Sequence, residues 1–301
     1  MSEQEWLADR FEEHRAHLQA VAYRMLGSLA EAEDAVQDSW LRASRAGTLE
    51  VDNLGGWLTT IVARLCLNRL RARNIRREES LDSHVPDPIV HLQGGSHPEE
   101  EALMADSVSL ALLVVLDSLA PAERLAFVLH DLFDLPFEEI GPIIGKSPAA
   151  ARQLASRARR RVRGAEPRPP ETNLSRQREV VDAFFAATRD GNFDALVAVL
   201  DPNVVLRFDA GAHVPGGSAA VRGAEPVARR IGRGLRSWLT RPGVELRSAL
   251  VNGAAGVVVT VDDQPVNVTG FTIVAGKIVE IDSITDPDRL RAIATIPLAG
   301  E

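Results

Sequence analysis

Cysteine is nearly absent from this chain of 301 residues, since Cys66 is the only one. A single cysteine excludes a disulfide framework and a zinc site built on cysteines. Long apolar runs are also missing: the longest, Leu110–Leu116, is far shorter than the roughly 20 residues of a membrane-spanning helix. The N-terminus, Met1–Glu5, is acidic where a secretory signal needs basic residues. We therefore expect a cytoplasmic protein with no membrane contact, no metal and no cofactor.

Lysine is scarce as well, so the 34 basic residues are almost all arginine, and 42 acidic residues leave a net charge of −8. That net charge alone argues against a general nucleic-acid binder. Two short windows, 64–77 and 152–163, nevertheless hold six arginines each and no acid. They indicate two separate contacts with a polyanion; for either window alone, a solvated helix face is the alternative.

The length and the distribution of proline and glycine divide the chain. At 45% hydrophobic and 25% charged residues, wholesale disorder is excluded, and 301 residues suggest two or three domains. Segments 78–98 and 164–173 are rich in proline, and we interpret them as a linker and a stiff connector. We expect two helical domains, at 1–77 and 99–163, and a third domain at 174–301.

The spacing of apolar residues predicts the helices of the first two domains. Residues 5–46 form two helices that break at Gly27-Ser28, and Trp57–Arg77 forms a third after a loop at Gly47–Gly56. The pattern then predicts helices over 99–119 and from Pro121, where proline fits the first helical position.

Residues 136–162 fit a helix-turn-helix. Its first helix is 137–144, Gly145–Ser147 makes the turn, and Ser147 and Pro148 are start signals for a second helix. That helix buries alanines on a narrow face and leaves polar side chains available for base edges and phosphates. A helical hairpin with a solvated arginine face is the alternative. The available residues are Arg152, Gln153, Ser156, Arg157 and Arg160.

The third domain has a different pattern. Helices at 175–188, 193–200 and 225–236 accompany strand-like runs. The last four runs are separated by the turn residues Asn252-Gly253, Asp262-Asp263 and Ala275-Gly276. This pattern predicts an α+β domain, with an antiparallel sheet and helices on one side. The predicted strands are 204–208, 244–251, 256–261, 266–275 and 277–284.

Three segments together resemble the extracytoplasmic-function (ECF) sigma factors of bacterial RNA polymerase. Residues 30–42 are similar to sigma region 2.2, 56–71 to regions 2.3–2.4, and the helix-turn-helix to region 4.2. The resemblance implies a fold of two all-α sigma domains, helical region 2 and helix-turn-helix region 4. It also implies a non-enzymatic function, which is to direct promoter-specific transcription initiation with core polymerase.

The resemblance also implies the roles of individual residues. Region 2.2 contacts the β′ coiled coil of polymerase, region 2.4 the −10 element, and region 4 the −35 element and the β flap. Asp34 and Asp38 share a helix face on their spacing alone. Polymerase contacts are assigned to Asp34, Gln37, Asp38 and Leu41; −10 contacts to Asn53, Arg64, Asn68 and Arg71; and −35 contacts to the five helix-turn-helix residues above.

The third domain resembles the SnoaL-like cone of a group of ECF sigma factors, the sigma factor J type, in which the extension is thought to regulate the factor in cis. Three short motifs of that group are matched in part, at 84–88, 209–212 and 286–290. A small-molecule ligand in the cone is a further expectation. The regulatory residues implied are Pro86, Asp87, Pro88, Asp209, Asp286, Pro287 and Asp288.

Two other functions remain open at this point. A one-component helix-turn-helix regulator with a small-molecule sensor leaves segments 30–42 and 56–71 unexplained. A cone-type isomerase or cyclase, with Asp209 and His213 as acid and base, leaves both arginine windows unexplained.

Overall fold

The computed structural model describes residues 3–46, 53–76, 84–92, 108–165, 170–211, 214, 218–239 and 241–294. Two compact units are present. The first comprises Met1–Glu79 and Val115–Glu166, and the second Ser80–Val114 and Pro167–Glu301. No helix among the described residues is long and apolar enough to cross a membrane.

The first unit is helical. Its early helices are α1 (Glu3–Leu26), α2 (Leu29–Ala46) and α3 (Leu54–Arg76). They pack through fully buried side chains such as Leu18, Val36 and Leu58. The break between α1 and α2 lies at Gly27, whose φ of 69° is left-handed, as the sequence predicts. Helix α4 (Leu110–Asp117) begins in the second unit and ends in the first. The later helices of the first unit are α5 (Pro121–Phe127), α6 (Phe137–Ile144) and α7 (Pro148–Ala165), with a short π-helix at Val128–Leu132 after α5.

The helix-turn-helix has the predicted first helix, turn and cap, and its second helix continues to Ala165, past the predicted end at 162. Helix α6 ends at Gly145, which adopts a left-handed conformation with φ of 75°. The Ala150 N–H donates to Ser147 Oγ at 3.2 Å, so Ser147 caps α7. Ala151 and Ala155 of α7 are fully buried, because their small side chains let α6 and α7 approach closely.

The second unit is built on a seven-stranded sheet. The strands are β1 (Val90–Leu92), β2 (Leu200–Asp209), β3 (Ser218–Arg222), β4 (Val244–Val251), β5 (Ala254–Val261), β6 (Gln264–Val274) and β7 (Lys277–Ile284). Their order is β1-β4-β5-β6-β7-β2-β3. All pairs are antiparallel except β2 with β7, which is parallel. The expectation of a purely antiparallel sheet was therefore wrong at this one pair.

Helices α8 (Leu174–Asp190), α9 (Phe193–Val199) and α10 (Ala224–Leu239) share one apolar core with the sheet. At its centre the rings of Phe184 and Phe185 meet Phe271 of β6 edge to face, with centroids 5.3 and 6.0 Å away. Helix α11 (Pro287–Ala294) follows the last strand. The predicted α+β architecture, with a helical layer over the sheet, is confirmed.

Several elements differ from the sequence prediction. Helix α3 begins at Leu54 rather than Trp57, because the Gly56 N–H donates to Asn53 Oδ1 at 3.0 Å and so caps the helix earlier. Strand β1 lies inside the segment interpreted as a linker, and it pairs with β4 through Val90 and Val251. Strand β3 and helix α11 were not predicted. Residues 47–52 and 99–107 lie outside the described part, so the predictions there are not addressed.

Candidate functional site

The exposed face of α7 carries all five side chains predicted to contact DNA. Arg152, Gln153, Ser156, Arg157 and Arg160 are each exposed. Residues 153, 156, 157 and 160 follow the spacing of a single helix face. The Arg152 guanidinium lies 5.2 Å from the centre of the Phe137 ring, which holds it near the start of the helix. The geometry fits a recognition helix, in which the N-terminal part reaches into a groove.

Two other arginines of the second window also pair with carboxylates of the preceding segments. Arg159 donates to Asp131 at 2.5 Å, and Arg161 lies 3.2 Å from the buried carboxylate of Glu123. Arg157 is 3.9 Å from that same carboxylate and remains half exposed. Arg159 is therefore bound by Asp131, whereas Arg157 and Arg161 lie near Glu123 and keep more than half of their side chains exposed.

A second basic face lies on α3. Arg64, Asn68 and Arg71 are exposed and lie at i, i+4 and i+7, so they share one face. Asn53 precedes the helix, and its side-chain oxygen accepts the capping hydrogen bond from the Gly56 N–H. At 1.5 Å per residue, Asn53 stands roughly 16 Å along the axis from Arg64, so the helix does not bring the two together.

Two arginines of the first window bind α2 instead of facing solvent. Arg69 donates to the Asp38 carboxylate at 2.7 Å and to the Glu31 carbonyl at 2.9 Å. Arg73 donates to the Leu26 carbonyl at 3.0 Å and pairs with the Glu31 carboxylate. These arginines fasten α3 to the first two helices.

The face of α2 predicted to contact polymerase is exposed. Asp34, Gln37 and Leu41 are solvent-facing, and Leu41 is 49% exposed, unusual for a large apolar side chain. Asp38 lies on the same face, and its carboxylate is half exposed while it accepts from Arg69. An exposed leucine beside carboxylates is a combination that suits a protein contact.

Within the first unit, the early and late helices meet around Arg124. This side chain is 1% exposed, and it donates from Nε to the Arg24 carbonyl at 3.2 Å and from a terminal nitrogen to Asp117 at 2.9 Å. Nearby, the rings of His17 and Phe133 meet edge to face with centroids 5.1 Å apart. Burial, followed by the charges of His14 and Arg24, lowers the pKa of His17.

In the second unit, the linker is fastened to the cone by Arg289 of α11. Its Nε donates to Asp87 at 2.6 Å, one terminal nitrogen to the Val85 carbonyl at 2.6 Å and the other to Asp209 at 2.8 Å. His84 Nδ1 lies 3.5 Å from Asp209. One side chain therefore joins two linker residues to the end of β2.

Asp209 is the buried centre of this cluster, at 5% exposure. Burial alone raises the pKa of a carboxyl group. Hydrogen bonds from His84, from Ser218 Oγ and from the Gly211 N–H, together with the charge of Arg289, outweigh that effect and hold the pKa of Asp209 well below its ordinary value. A Cβ at Gly211 would collide with the Asp286 carboxylate, so only glycine fits this turn.

The remaining motif residues have structural positions around Arg289. Asp286 Oδ1 accepts from the Asp288 N–H at 2.9 Å, and Pro287 follows at the first position of α11, so both define the start of this helix. The Asp288 carboxylate pairs with Arg291 in solvent. Pro86 and Pro88 are buried.

Asn252 fastens the linker at a second place. It is 3% exposed and exchanges two hydrogen bonds with Ile89: its N–H donates to the Ile89 carbonyl at 2.8 Å, and its side-chain oxygen accepts from the Ile89 N–H at 3.0 Å. Its amide nitrogen donates to the Val108 carbonyl at 3.0 Å. This one side chain therefore holds residues on both sides of the segment 93–107.

The cone contains a cavity of 760 Å³ that opens to solvent. Its walls are mainly apolar and include Phe184, Phe185 and Leu206, with Asn267, Thr269 and Ser283 as a polar strip. Among the described residues, no aspartate, glutamate or histidine lines the cavity. The proposed acid Asp209 lies in the linker cluster instead, and His213 lies outside the described residues. No group of residues suited to hold a metal ion occurs in the described ranges.

Comparison with known proteins identifies the families of the helical segments. Residues 10–75 match the Sigma-70 region 2 family, and residues 109–162 match the Sigma-70 region 4 family. The ECF RNA polymerase sigma factor SigJ of Mycobacterium tuberculosis is 38% identical over 296 residues, which cover 93% of this chain and 91% of SigJ.

The chain is an ECF RNA polymerase sigma factor.

The similarity extends through the third domain. The probable ECF sigma factor SigI of Mycobacterium tuberculosis is 35% identical over 293 residues, which cover 96% of this sigma factor and 97% of SigI. The crystal structure of SigJ superimposes with a TM-score of 0.72 at 35% identity and covers 94% of this chain and 98% of that one. This sigma factor therefore combines regions 2 and 4 with a SnoaL-like cone, and like other sigma factors it acts with core polymerase and promoter DNA.

Sequence reasoning missed the central residue of the linker cluster in this sigma factor. Arg289 lies inside the matched motif 286–290, but only the acids and the proline were singled out. The signal was present in the sequence. The three motifs together hold four aspartates and a single arginine, so Arg289 was a candidate partner for those carboxylates. Asn252 was seen only as a turn residue.

Proposed function

We propose that this sigma factor directs transcription initiation in the cytoplasm through three exposed helix faces. The α7 face, with Arg157 at its centre, reads the −35 element, and the α3 face around Asn68 binds the −10 element. The α2 face around Leu41 docks on the β′ coiled coil, while region 4 contacts the β flap. The support is geometric: each set of side chains is exposed and lies on one helix face.

We further propose that the cone regulates initiation in cis by holding the linker. The observation that carries this proposal is the bonding of Arg289 to Val85, Asp87 and Asp209. The linker joins region 2 to region 4 in the chain, so a segment fastened to the cone limits the separations that the two regions can adopt. Release of the linker widens that range and changes the equilibrium among conformations.

The test is run-off transcription with core polymerase and the full-length Arg289→Gln protein. The Arg289 side chain is 18% exposed and has two carboxylate partners. Arg247→Gln is the matched control, because Arg247 also pairs with two carboxylates, Glu245 and Asp263, but neither belongs to the cluster of Asp87 and Asp209 that holds the linker. We expect the Arg289 variant to change the transcript yield and the control to match the unmodified protein.

Equal yields and equal polymerase affinities for the Arg289 variant and the unmodified protein would contradict cis regulation through this contact. Loss of fold is monitored by the thermal transition, since Arg289 also neutralises Asp209. A variant that stays folded and initiates normally leaves the linker contact without a regulatory role.

We also propose that the cone cavity binds a small molecule and does not catalyse a reaction on it, since its described lining offers no general acid or base.

Gly234 lines the cavity, and a Cβ there meets no atom within 4 Å. Gly234→Leu should therefore fill the cavity without a clash. Gly232→Leu, in the same helix and equally open, is the control, because Gly232 does not line the cavity. Loss of ligand binding in the first variant alone is the expected result.

A further inference from the structure

The cone cavity has apolar walls inside and cationic side chains at its exposed edge. Arg230 of α10 and Arg291 of α11 line it and are both exposed, whereas Phe184 and Val259 are buried. We propose that its ligand is an apolar carboxylic acid, with the hydrocarbon part inside and the carboxylate at Arg230. This inference rests on the proposed small-molecule role of the cavity and specifies the chemical class.

The walls provide the first part of the argument. Phe184 and Phe185 contribute aromatic surface, and Ile231 and Val259 contribute aliphatic surface, all at 7% exposure or less. The volume of 760 Å³ falls within the range of roughly 300–1,000 Å³ of ordinary small-molecule sites. Apolar burial should then dominate the affinity, at about fourfold per methylene group placed inside.

The charges provide the second part. The Arg230 guanidinium lies 5.8 Å from the centre of the Phe208 ring, and Phe208 itself lines the cavity. On the same helix, the Glu225 carboxylate pairs with Arg229 at 3.4 Å. Among the described residues, no carboxylate is found in an ion pair with Arg230. A ligand carboxylate at the edge supplies such a partner, whereas an amine would be repelled.

The polar strip provides the third part. Ser283 Oγ accepts from Asn267 Nδ2 at 2.7 Å and lies 3.3 Å from Thr269 Oγ1. Thr269 Oγ1 donates its one hydrogen to Asn267 Oδ1 at 2.8 Å, so the Ser283 hydroxyl is the group that can donate across the 3.3 Å contact. The polar strip therefore satisfies its hydrogen bonds largely within the cone, which leaves apolar contact and the charge of Arg230 to select the ligand. The Arg230 guanidinium would not stabilise a cationic ligand.

The experiment is calorimetric titration of the full-length protein with decanoate, octanoate and decan-1-ol, below micellar concentrations. We expect decanoate to bind at least tenfold more tightly than decan-1-ol, and about fifteenfold more tightly than octanoate because of its two extra methylene groups. Arg230→Gln should weaken decanoate binding about tenfold and leave decan-1-ol binding unchanged. Arg229→Gln, on the same helix and outside the cavity lining, should change neither.

Equal affinities for decanoate and decan-1-ol would overturn the assignment of an acid and leave the cavity as a site for neutral ligands. Equal weakening of decanoate binding in the Arg230 and Arg229 variants would overturn it as well, since the charge effect would then be nonspecific. If none of the three probes binds, or if Gly234→Leu leaves their binding unchanged, the small-molecule role of this cavity fails together with the inference.

Discussion

Neutralising Asp87 should release the linker from the cone. The Asp87 carboxylate accepts from Arg289 at 2.6 Å, and the two side chains are only 13% and 18% exposed. A hydrogen bond to a charged group of this kind contributes about 1.5–3 kcal/mol. Asp87→Asn keeps the shape of the side chain and removes the charge. The free energy of linker release should therefore fall by that amount, and the open population should rise about 10- to 150-fold.

Native-state hydrogen exchange of the amides in residues 84–92 measures this release directly. The Ile89 N–H, bonded to Asn252 Oδ1 at 3.0 Å, is an internal reporter that the substitution does not touch. We expect exchange of the Ile89 amide to accelerate in the Asp87→Asn protein if the linker is released as a unit. Amides in the core strands β5 and β6 should keep their protection, because the cone core does not depend on Asp87.

Asp288→Asn is the matched control. Asp288 lies in α11 next to Arg289, but its carboxylate pairs with Arg291 in solvent, where ion pairs contribute little. Its exchange pattern over 84–92 should match that of the unmodified protein. Unchanged protection of those amides in Asp87→Asn, or equal acceleration in both variants, would refute the view that this ion pair holds the linker.

Three further predictions concern the first unit. Arg157→Ala should weaken holoenzyme binding to promoter DNA about 5- to 150-fold in a footprint over the −35 element, with polymerase affinity unchanged; Arg159→Ala, whose side chain is bound to Asp131, should leave the footprint intact. Because the pKa of His17 is lowered from 6.5, protonation favours the unfolded state, and the thermal midpoint should fall as the pH drops through 6.5; His17→Gln should flatten that dependence, and an unchanged slope would contradict the assignment. Burial raises the pKa of the Cys66 thiol to about 12, so a thiol reagent should label it only after denaturation, and rapid labelling of the folded protein would show that this site opens.

The helical elements were readable from the sequence because their signals are local. Apolar spacing and caps act within a few residues, as with Ser147 and Gly145 around the helix-turn-helix turn. The early start of α3 arose because Asn53 caps the helix before two glycines that are ordinarily poor helix formers. In the cone, the longer strands were found from their apolar runs and the turn residues between them, whereas the short strands β1 and β3 carry too few residues for a pattern.

The two arginine windows show that the sequence of one segment does not predict which of its arginines form ion pairs within the protein. A window of six arginines indicates a basic surface, but the periodicity of a helix divides those side chains among different directions. Arg69 and Arg73 bind α2, and Arg159 binds Asp131, while Arg64 and Arg157 face solvent. Which arginine meets an acid depends on neighbouring helices that the spacing of a single helix does not specify.

By itself, the sequence determined the two helical sigma regions, the helix-turn-helix and the α+β character of the last domain, because periodicity, caps and motifs are properties of short segments. Only the tertiary structure decided that the linker supplies a strand to the cone sheet, that Arg289 joins Asp87 to Asp209, and that the cavity has arginines at its edge. Each of these pairs residues far apart in the chain, as with Asp87 and Arg289, and such pairings depend on packing between elements rather than on any local pattern.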